Sequence, residues 1–289
     1  MLGRALSRAA DASVGEILAS TAAERAQGAR RIGFTGPPGA GKSTLLGVVA
    51  RHRVQAAGRI AVVAIDPSSP GTQGAVLGDR IRMDAVTDDP RIFIRSFASR
   101  QAQDGLTDNI AEILSVLDAH GFDEILLETV GAGQTTYGVR DLVDIEILVL
   151  VPGAGDQIQA MKAGILETAD IYVINKADQP GAAQIDAELR AVLALTRPPG
   201  ATLPAIVRTT ATAHEGIAAL DEAIRSCLAR GTARARDAVR RGRMRHRARS
   251  LLARRLDEIM SGLPEHCFDG TLAALHDAVL RRLCPRAGP

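Results

Sequence analysis

The sequence predicts an α/β protein built on a doubly wound, mostly parallel sheet, and three observations carry that expectation. From residue 31 onward, short apolar strand-like runs alternate with helical stretches, as in a succession of βαβ units. Several of these runs are nearly continuous in Val, Ile and Leu, which suits strands covered by helices on both faces. The first run, Ile32-Gly33-Phe34, leads into Gly36-Pro37-Pro38-Gly39-Ala40-Gly41-Lys42-Ser43-Thr44, a complete G-x-x-x-x-G-K-S phosphate-binding loop set where a strand closes and a helix opens.

Taken in order, residues 1–30 read as a short Ala-rich helical segment, with Leu6, Ala10, Val14 and Leu18 on one stripe. Residues 31–230 form the expected phosphate-loop domain. Its strands are expected at 31–35, 60–66, 92–97, 124–130, 145–151, 171–175 and 205–209, and its helices at 42–57, 106–120, 156–168, 183–195 and 217–229. Residues 231–289 turn to Arg and Ala, with Val239, Met244, Leu251, Leu252, Leu256 and Ile259 along a charged helix, then Leu272, Leu275, Val279 and Leu283 at helical spacing. Such an arm cannot cover its apolar stripe alone, so it is expected to pack on the domain or on a second copy, giving a homodimer.

Composition narrows the class. A chain of 289 residues, 46% of them apolar, has ample material for a core. No apolar run approaches the length of a bilayer span, so no membrane association is expected. Arg4 and Arg8 precede no apolar signal core, and Asp11, Glu16 and Glu24 argue against a transit peptide, which points to a cytoplasmic protein. Cys227, Cys267 and Cys284 are too scattered for a disulfide framework. Arginines crowd the region from Arg230 to Arg255, but no aromatic lies among them and aromatics are only 2% of the chain, so a nucleic-acid stacking platform is not expected. A solvated or subunit-facing helix accounts for them better.

The chemistry sits at strand ends. Gly36, Gly39 and Gly41 allow backbone N–H groups to face phosphate oxygens over the positive end of the next helix, Lys42 would reach the β- and γ-phosphates, and Ser43 would ligate Mg²⁺. Asn175-Lys176-Ala177-Asp178 ends an apolar run and matches N-K-x-D, the guanine-reading pattern. The Asp178 carboxylate would accept from N1–H and the exocyclic N2–H of guanine, Lys176 would lay its stem along the base, and Asn175 would tie neighbouring loops together. Thr210-Ala211-Thr212 ends the following run, where backbone contacts to the guanine oxygen are expected. Glu128 closes another apolar strand and stands three residues before Gly131, so the acid would hold the Mg²⁺ shell and the glycine N–H would sense the γ-phosphate. Ala132 follows where many GTPases carry a water-orienting Gln, so slow hydrolysis is expected.

Taken with Asp66-Pro67-Ser68-Ser69, Leu77-Gly78-Asp79-Arg80-Ile81-Arg82-Met83, Glu128-Thr129-Val130-Gly131-Ala132-Gly133-Gln134 and Val151-Pro152-Gly153-Ala154-Gly155-Asp156, these motifs make residues 31–215 resemble the MeaB/ArgK family of GTPases. The resemblance implies a GTP-hydrolysing chaperone of an adenosylcobalamin-dependent acyl-CoA mutase such as methylmalonyl-CoA mutase, which gates cofactor loading and protects or reactivates the mutase. It implies GTP, GDP and Mg²⁺ as ligands, a cobalamin adenosyltransferase as a further partner, and a homodimer through the C-terminal arm. By the same analogy Asp66 and Asp79 belong to the metal and first-switch region, Glu128 begins the second switch, and the segment from Gly153 to Lys162 is a third switch coupled to the mutase. Lys42, Asp79, Glu128 and Lys162 are then the candidate catalytic residues, and Ser43, Asp66, Asp79 and Glu128 the metal set. Gln73, Gln101 and Thr135-Thr136 depart from the family's usual residues, which bears on which mutase is served. The alternative is a metal-insertion GTPase of the HypB or UreG kind. It needs soft or imidazole ligands, and His266-Cys267 is an isolated pair, while His52, His120, His214, His246 and His276 show no ligand spacing.

Overall fold

In the computed structural model the chain is described over residues 1–19, 28–67, 89–99, 107, 109–129, 136–153, 169–196, 203–229 and 236–283. Seven strands among these form one sheet: β1 (Arg30–Thr35), β2 (Ile60–Pro67), β3 (Ile92–Ser99), β4 (Glu124–Glu128), β5 (Ile145–Leu150), β6 (Ile171–Ile174) and β7 (Ala205–Arg208). The order is β3-β2-β4-β1-β5-β6-β7 and every pairing is parallel. The expected strands are all present, with ends that move by one or two residues, and the α/β architecture stands.

Period-two alternation explains the layers. Ile32, Phe34, Val62, Leu126, Ile147, Val149 and Val173 turn to one face and form a core with α3 (Lys42–Ala57) and α7 (Ile217–Ala229). Val63, Ile65, Ile125 and Leu127 turn to the other, under α1 (Leu2–Asp11), α4 (Ile110–Ala119) and α5 (Thr136–Leu142). Further along that face, Leu148, Leu150, Tyr172 and Ile174 pack on α6 (Ala182–Thr196). Because β1 sits between β4 and β5, the loop after it opens at the centre of the sheet's carboxyl edge, where doubly wound sheets bind ligands.

Several expectations need correction or completion. The stripe through Leu18 fails: α1 ends at Asp11 and α2 (Val14–Ala19) starts anew, because Ser13 and Glu16 form a reciprocal capping box, with Ser13 N and Oγ donating to Glu16 Oε2 at 2.8 and 2.7 Å and Glu16 N donating back at 3.3 Å. The new phase buries Val14 and Ile17 and leaves Leu18 exposed. Helix α4 starts at Ile110 rather than at residue 106, after Asn109, whose amide donates to Ala10 O and Ala12 O at 3.0 Å and so holds the N-terminal helices. Helix α5 was not expected. The helix expected at 156–168 lies outside the described residues.

The arginine-rich segment is the last correction. Helix α8 (Arg236–Ser261) packs along α5, and several of its arginines face the chain's own domain rather than solvent or a second subunit. Arg243 donates to Leu142 O at 3.2 Å and pairs with Asp144 at 3.0 Å, Arg247 pairs with Glu112 at 2.8 Å, and Arg254 bonds Asn109 Oδ1 and Ala12 O. Helix α9 (Leu272–Leu283) folds back, with Arg282 donating to Gly262 O at 2.7 Å. No helix among the described residues is long and apolar enough to cross a membrane.

The sheet and α5 meet with no slack at Gly33 in β1. A Cβ there would lie 3.0 Å from Val139 Cγ1 and 3.1 Å from Val143 Cγ1, two buried, branched side chains with little freedom to move. Gly33→Val should therefore lower stability by about 1–3 kcal/mol in a denaturant titration. An unchanged midpoint would show that α5 is not seated on that strand.

Candidate functional site

The loop after β1 has a backbone that only glycine allows at two points. Gly36 has φ 143°, and a Cβ on it would collide with the Val149 carbonyl oxygen of β5. Gly41 has φ 80° and, as the N-cap of α3, offers no side-chain hydrogen bond of its own, so the start of that helix turns its backbone toward the loop. Between them Pro37 and Ala40 are buried and Pro38 and Gly39 exposed, with Ala40 N closing a turn on Pro37 O at 3.3 Å. Lys42 is buried, and its ammonium donates to Gly36 O and Pro37 O at 3.0 Å each, so the charge is held inside the loop's own curve. Thr44 is half-buried one residue beyond Ser43.

Ser43 and Glu128 come together although β4 and α3 are far apart in sequence. Both are buried, and Ser43 Oγ donates to Glu128 Oε1 at 2.8 Å. Thr129 N continues the ladder onto Phe34 O at 3.2 Å, which fixes the end of β4 beside the loop. A hydroxyl and a carboxylate converging at a helix N-terminus are hard oxygen donors of the type Mg²⁺ takes alongside phosphate oxygens, so this pair fits that ion. Of the other expected residues, Asp66 is the last but one of β2, with its side chain outside the described part, and Asp79, Gly131, Asp156 and Lys162 also lie outside the described residues.

The base-reading candidates meet the phosphate loop through one side chain. Asn175 is buried; its Nδ2 donates to Ala40 O at 2.9 Å, and its Oδ1 accepts from Thr209 Oγ1 at 3.1 Å and from Ala211 N at 3.2 Å. A Cβ on Gly41 would lie 2.5 Å from that Nδ2, and the Lys176 stem runs 4.0 Å from the same point. Lys176 has φ 55°, a left-handed backbone that turns the chain sharply after Asn175 and leaves Asp178 exposed at the rim. Thr210 exchanges two backbone bonds of 3.2 Å with Glu215, which holds buried Ala211 in place and presents exposed Thr212.

Sequence reasoning missed Thr209. It took Thr209 as the last residue of a strand, yet the side chain is buried and donates to the residue that joins the loops. The available signal was a hydroxyl at the end of an apolar run, directly before Thr210-Ala211-Thr212, and it is a weak one.

Comparison with known proteins agrees with this geometry. A family model described as methylmalonyl Co-A mutase-associated GTPase MeaB matches residues 5–264. The chain is 42% identical over 236 residues to a putative GTPase of Pyrococcus abyssi, covering 80% of this chain and 70% of that protein. It is 37% identical over 199 residues to the methylmalonic aciduria type A homolog, mitochondrial, of Mus musculus, covering 68% of this chain and 48% of that protein. The match thus spans about half the length of the mouse relative. A crystal structure described as LAO/AO transport system kinase shares the fold, with a TM-score of 0.63, 22% identity, and 98% of this chain and 96% of that one covered. With the family model running through the sheet, the phosphate loop and the whole of α8, the chain belongs to the MeaB family of GTPases.

Proposed function

We propose that the protein binds GTP and GDP with Mg²⁺ at the Gly36–Ser43 loop, hydrolyses GTP, and uses the change of nucleotide to act as a chaperone of an adenosylcobalamin-dependent acyl-CoA mutase. The observation that carries the nucleotide reading is the Asn175 amide, bonded at once to the phosphate loop through Ala40 O and to the Thr209–Ala211 segment. A nucleotide needs its phosphates and its base held at a set separation, and this one side chain sets it.

The steps follow from the chain's own groups. The N–H groups at the start of α3 and the loop amides would bind the phosphates. Lys42 would exchange its two loop carbonyls for phosphate oxygens, a move that carries its charge only a short way. Ser43 and Glu128 would hold Mg²⁺, which supplies charge neutralisation as the β–γ bridge breaks. Asp178, exposed at the rim, is free to take a guanine edge, and Lys176 to cover the ring. Asp66 and Asp79 complete the proposed metal and first-switch set, Gly131 gives the proposed γ-phosphate contact, and Lys162 belongs to the proposed third switch. The mutase as partner is supported by the family's description and by the mouse relative's name. A cobalamin adenosyltransferase is a second proposed partner, and the arm from residue 231 a proposed two-fold contact.

Guanine selectivity is the first consequence. A site that pairs Asp178 with N1–H and N2–H should prefer GDP to ADP by roughly 10⁴ or more. Competition against labelled GDP tests it, and Asp178→Asn should move the preference toward xanthine nucleotides. ATP displacing GDP at comparable concentration would remove the proposal.

The switch reading makes a separate demand on the kinetics. Basal hydrolysis should be slow, depend on Mg²⁺, and rise when the cognate mutase is added. In the same assay Asp156→Ala and Lys162→Ala should keep GDP affinity within a few-fold yet lose the stimulation, a coupling of about 1–3 kcal/mol. Equal stimulation of all three proteins would exclude a third switch.

The arm is tested by size. Removing residues after 231 should yield a monomer that still binds GDP, as read by light scattering. A truncated protein that stays dimeric would place the two-fold contact elsewhere.

A further inference from the structure

We infer that Arg53 and Glu124 are positioning residues for the metal pair: their buried fork holds α3 at a fixed height on β4, and that height is what brings Ser43 within reach of Glu128. The inference rests on the proposed reading of Ser43 and Glu128 as Mg²⁺ ligands.

The geometry begins with two periods. Along β4, Glu124, Leu126 and Glu128 alternate onto the face covered by α3. Along α3, Ser43, Leu46, Ala50 and Arg53 follow the i, i+3, i+7 spacing that keeps them on one side of the helix. From Ser43 to Arg53 the helix rises about 15 Å, and from Glu124 to Glu128 the strand advances about 13 Å. The two elements therefore present polar groups at matched separations, and both ends are joined. At the ligand end Ser43 Oγ donates to Glu128 Oε1 at 2.8 Å. At the far end Arg53 Nε donates to Glu124 Oε2 at 2.8 Å and Nη2 to Oε1 at 2.6 Å. Between the two joints Leu46, Ala50 and Leu126 belong to one apolar cluster.

The two joints differ in kind. A single hydroxyl bond is one that a metal ion and phosphate would replace. A guanidinium fork on a carboxylate is planar and two-pronged, so it fixes orientation as well as distance. Apolar contacts do neither, because a Leu side chain tolerates sliding that a hydrogen bond does not. A slide of about 1 Å would take a normal bond out of range.

The far joint is also isolated from water and anchored twice. Arg53 and Glu124 side chains are 6% and 5% exposed. The remaining Nη1 of Arg53 donates to Asp221 of α7, which is held in turn by Arg225 at 3.1 Å and lies 3.6 Å from His52 Nε2. Burial works against the Arg53 charge, but Glu124 and Asp221 outweigh it and hold the guanidinium above its ordinary range. Stability alone does not call for such a group, since well-packed apolar residues in place of a buried ion pair are often as stable or more so. What the ion pair adds is a defined register.

The experiment follows release of a fluorescent GDP analogue (mant-GDP) from the full-length protein across a Mg²⁺ titration and in EDTA, with thermal unfolding recorded beside it. Arg53→Met combined with Glu124→Met replaces the fork by apolar volume and leaves Asp221 its Arg225 partner. The double variant should melt near the wild type and release the analogue in EDTA within about two-fold of it, yet need roughly ten-fold more Mg²⁺ to slow release by half. Arg53→Lys, which keeps the charge and loses the fork, should shift the Mg²⁺ requirement the same way and covers the case of a double variant that does not fold. A folded variant with the wild-type Mg²⁺ requirement would overturn the inference, as would a rise in release that is equal in EDTA and in Mg²⁺. A wild type whose release ignores Mg²⁺ would instead remove the metal reading on which the inference rests.

Discussion

Everything at the ligand end of the sheet depends on where the Asn175 amide is held. Its three hydrogen bonds join loops that follow β1, β6 and β7, of which β6 and β7 are neighbours and β1 lies beyond β5. Each of those loops carries buried backbone groups that would be costly to leave unmet, on the order of 1–3 kcal/mol apiece. One planar side chain meets two of them, Ala40 O and Ala211 N, together with the Thr209 hydroxyl, and so converts three separate loop conformations into one. Replacing the amide by a carboxylate of the same shape would remove the donor to Ala40 O and bring two acceptors face to face, so the residue type follows from the bonds it makes.

The same logic runs through the polar contacts that lie away from the loop. Arg140 pairs with Asp170, and Asp170 accepts from Glu146 N at 2.9 Å, so the entry into β6 is tied to β5 and to α5. Arg31 joins Asp118 at 2.6 Å, and its backbone N–H donates to Asp144, whose other oxygen takes Arg243. These are charged bridges at the amino-terminal edge of the sheet, where strand ends leave backbone groups without ladder partners. The carboxyl edge carries the loop glycines, Asn175 and the Ser43–Glu128 pair, with Arg208 at the end of β7 joined to Asp186 at 2.7 Å.

How much of this was legible in the sequence depended on the range of the interaction. Strands such as Ile145–Leu150 were read correctly because burial on both faces demands a continuous apolar run, a local property. Helix Lys42–Ala57 was placed to the residue because a glycine with positive φ starts it and Gly58 ends it. Short motifs singled out the phosphate loop, Ser43, Asn175 and Lys176 as candidates. They did not single out Thr209, the Arg53–Glu124 fork or the seating of α5 on Gly33, because each is a contact between residues far apart in the chain and none alters local pattern. The α1–α2 break was legible and was passed over: Ser13 and Glu16 carry the capping box, but the apolar spacing through Leu18 gave a longer helix at the same residues. A strong local cap outweighed a weak stripe.

The C-terminal arm shows how the two kinds of signal part company. Composition alone made the arginines from Arg230 to Arg255 look like one solvated or subunit-facing block, yet α8 sorts them by face. Arg243, Arg247 and Arg254 recur on the side that meets α5, α4 and the N-terminal helices, and each finds a carboxylate, an amide or a carbonyl there. Val239 and Ile259 are buried with them, while Leu252 stays 57% exposed, and in α9 Leu272 stays 81% exposed. An arm that docked for stability alone would have turned its larger apolar groups inward and its arginines out. Here polar bonds set how α8 lies on the domain, and Leu252, Leu256, Phe268, Leu272 and Leu280 are left on the outside. At about 25 cal/mol per Å² of apolar surface, leaving them in water forgoes several kcal/mol that contact with another surface would recover, which is the physical ground for the proposed two-fold contact.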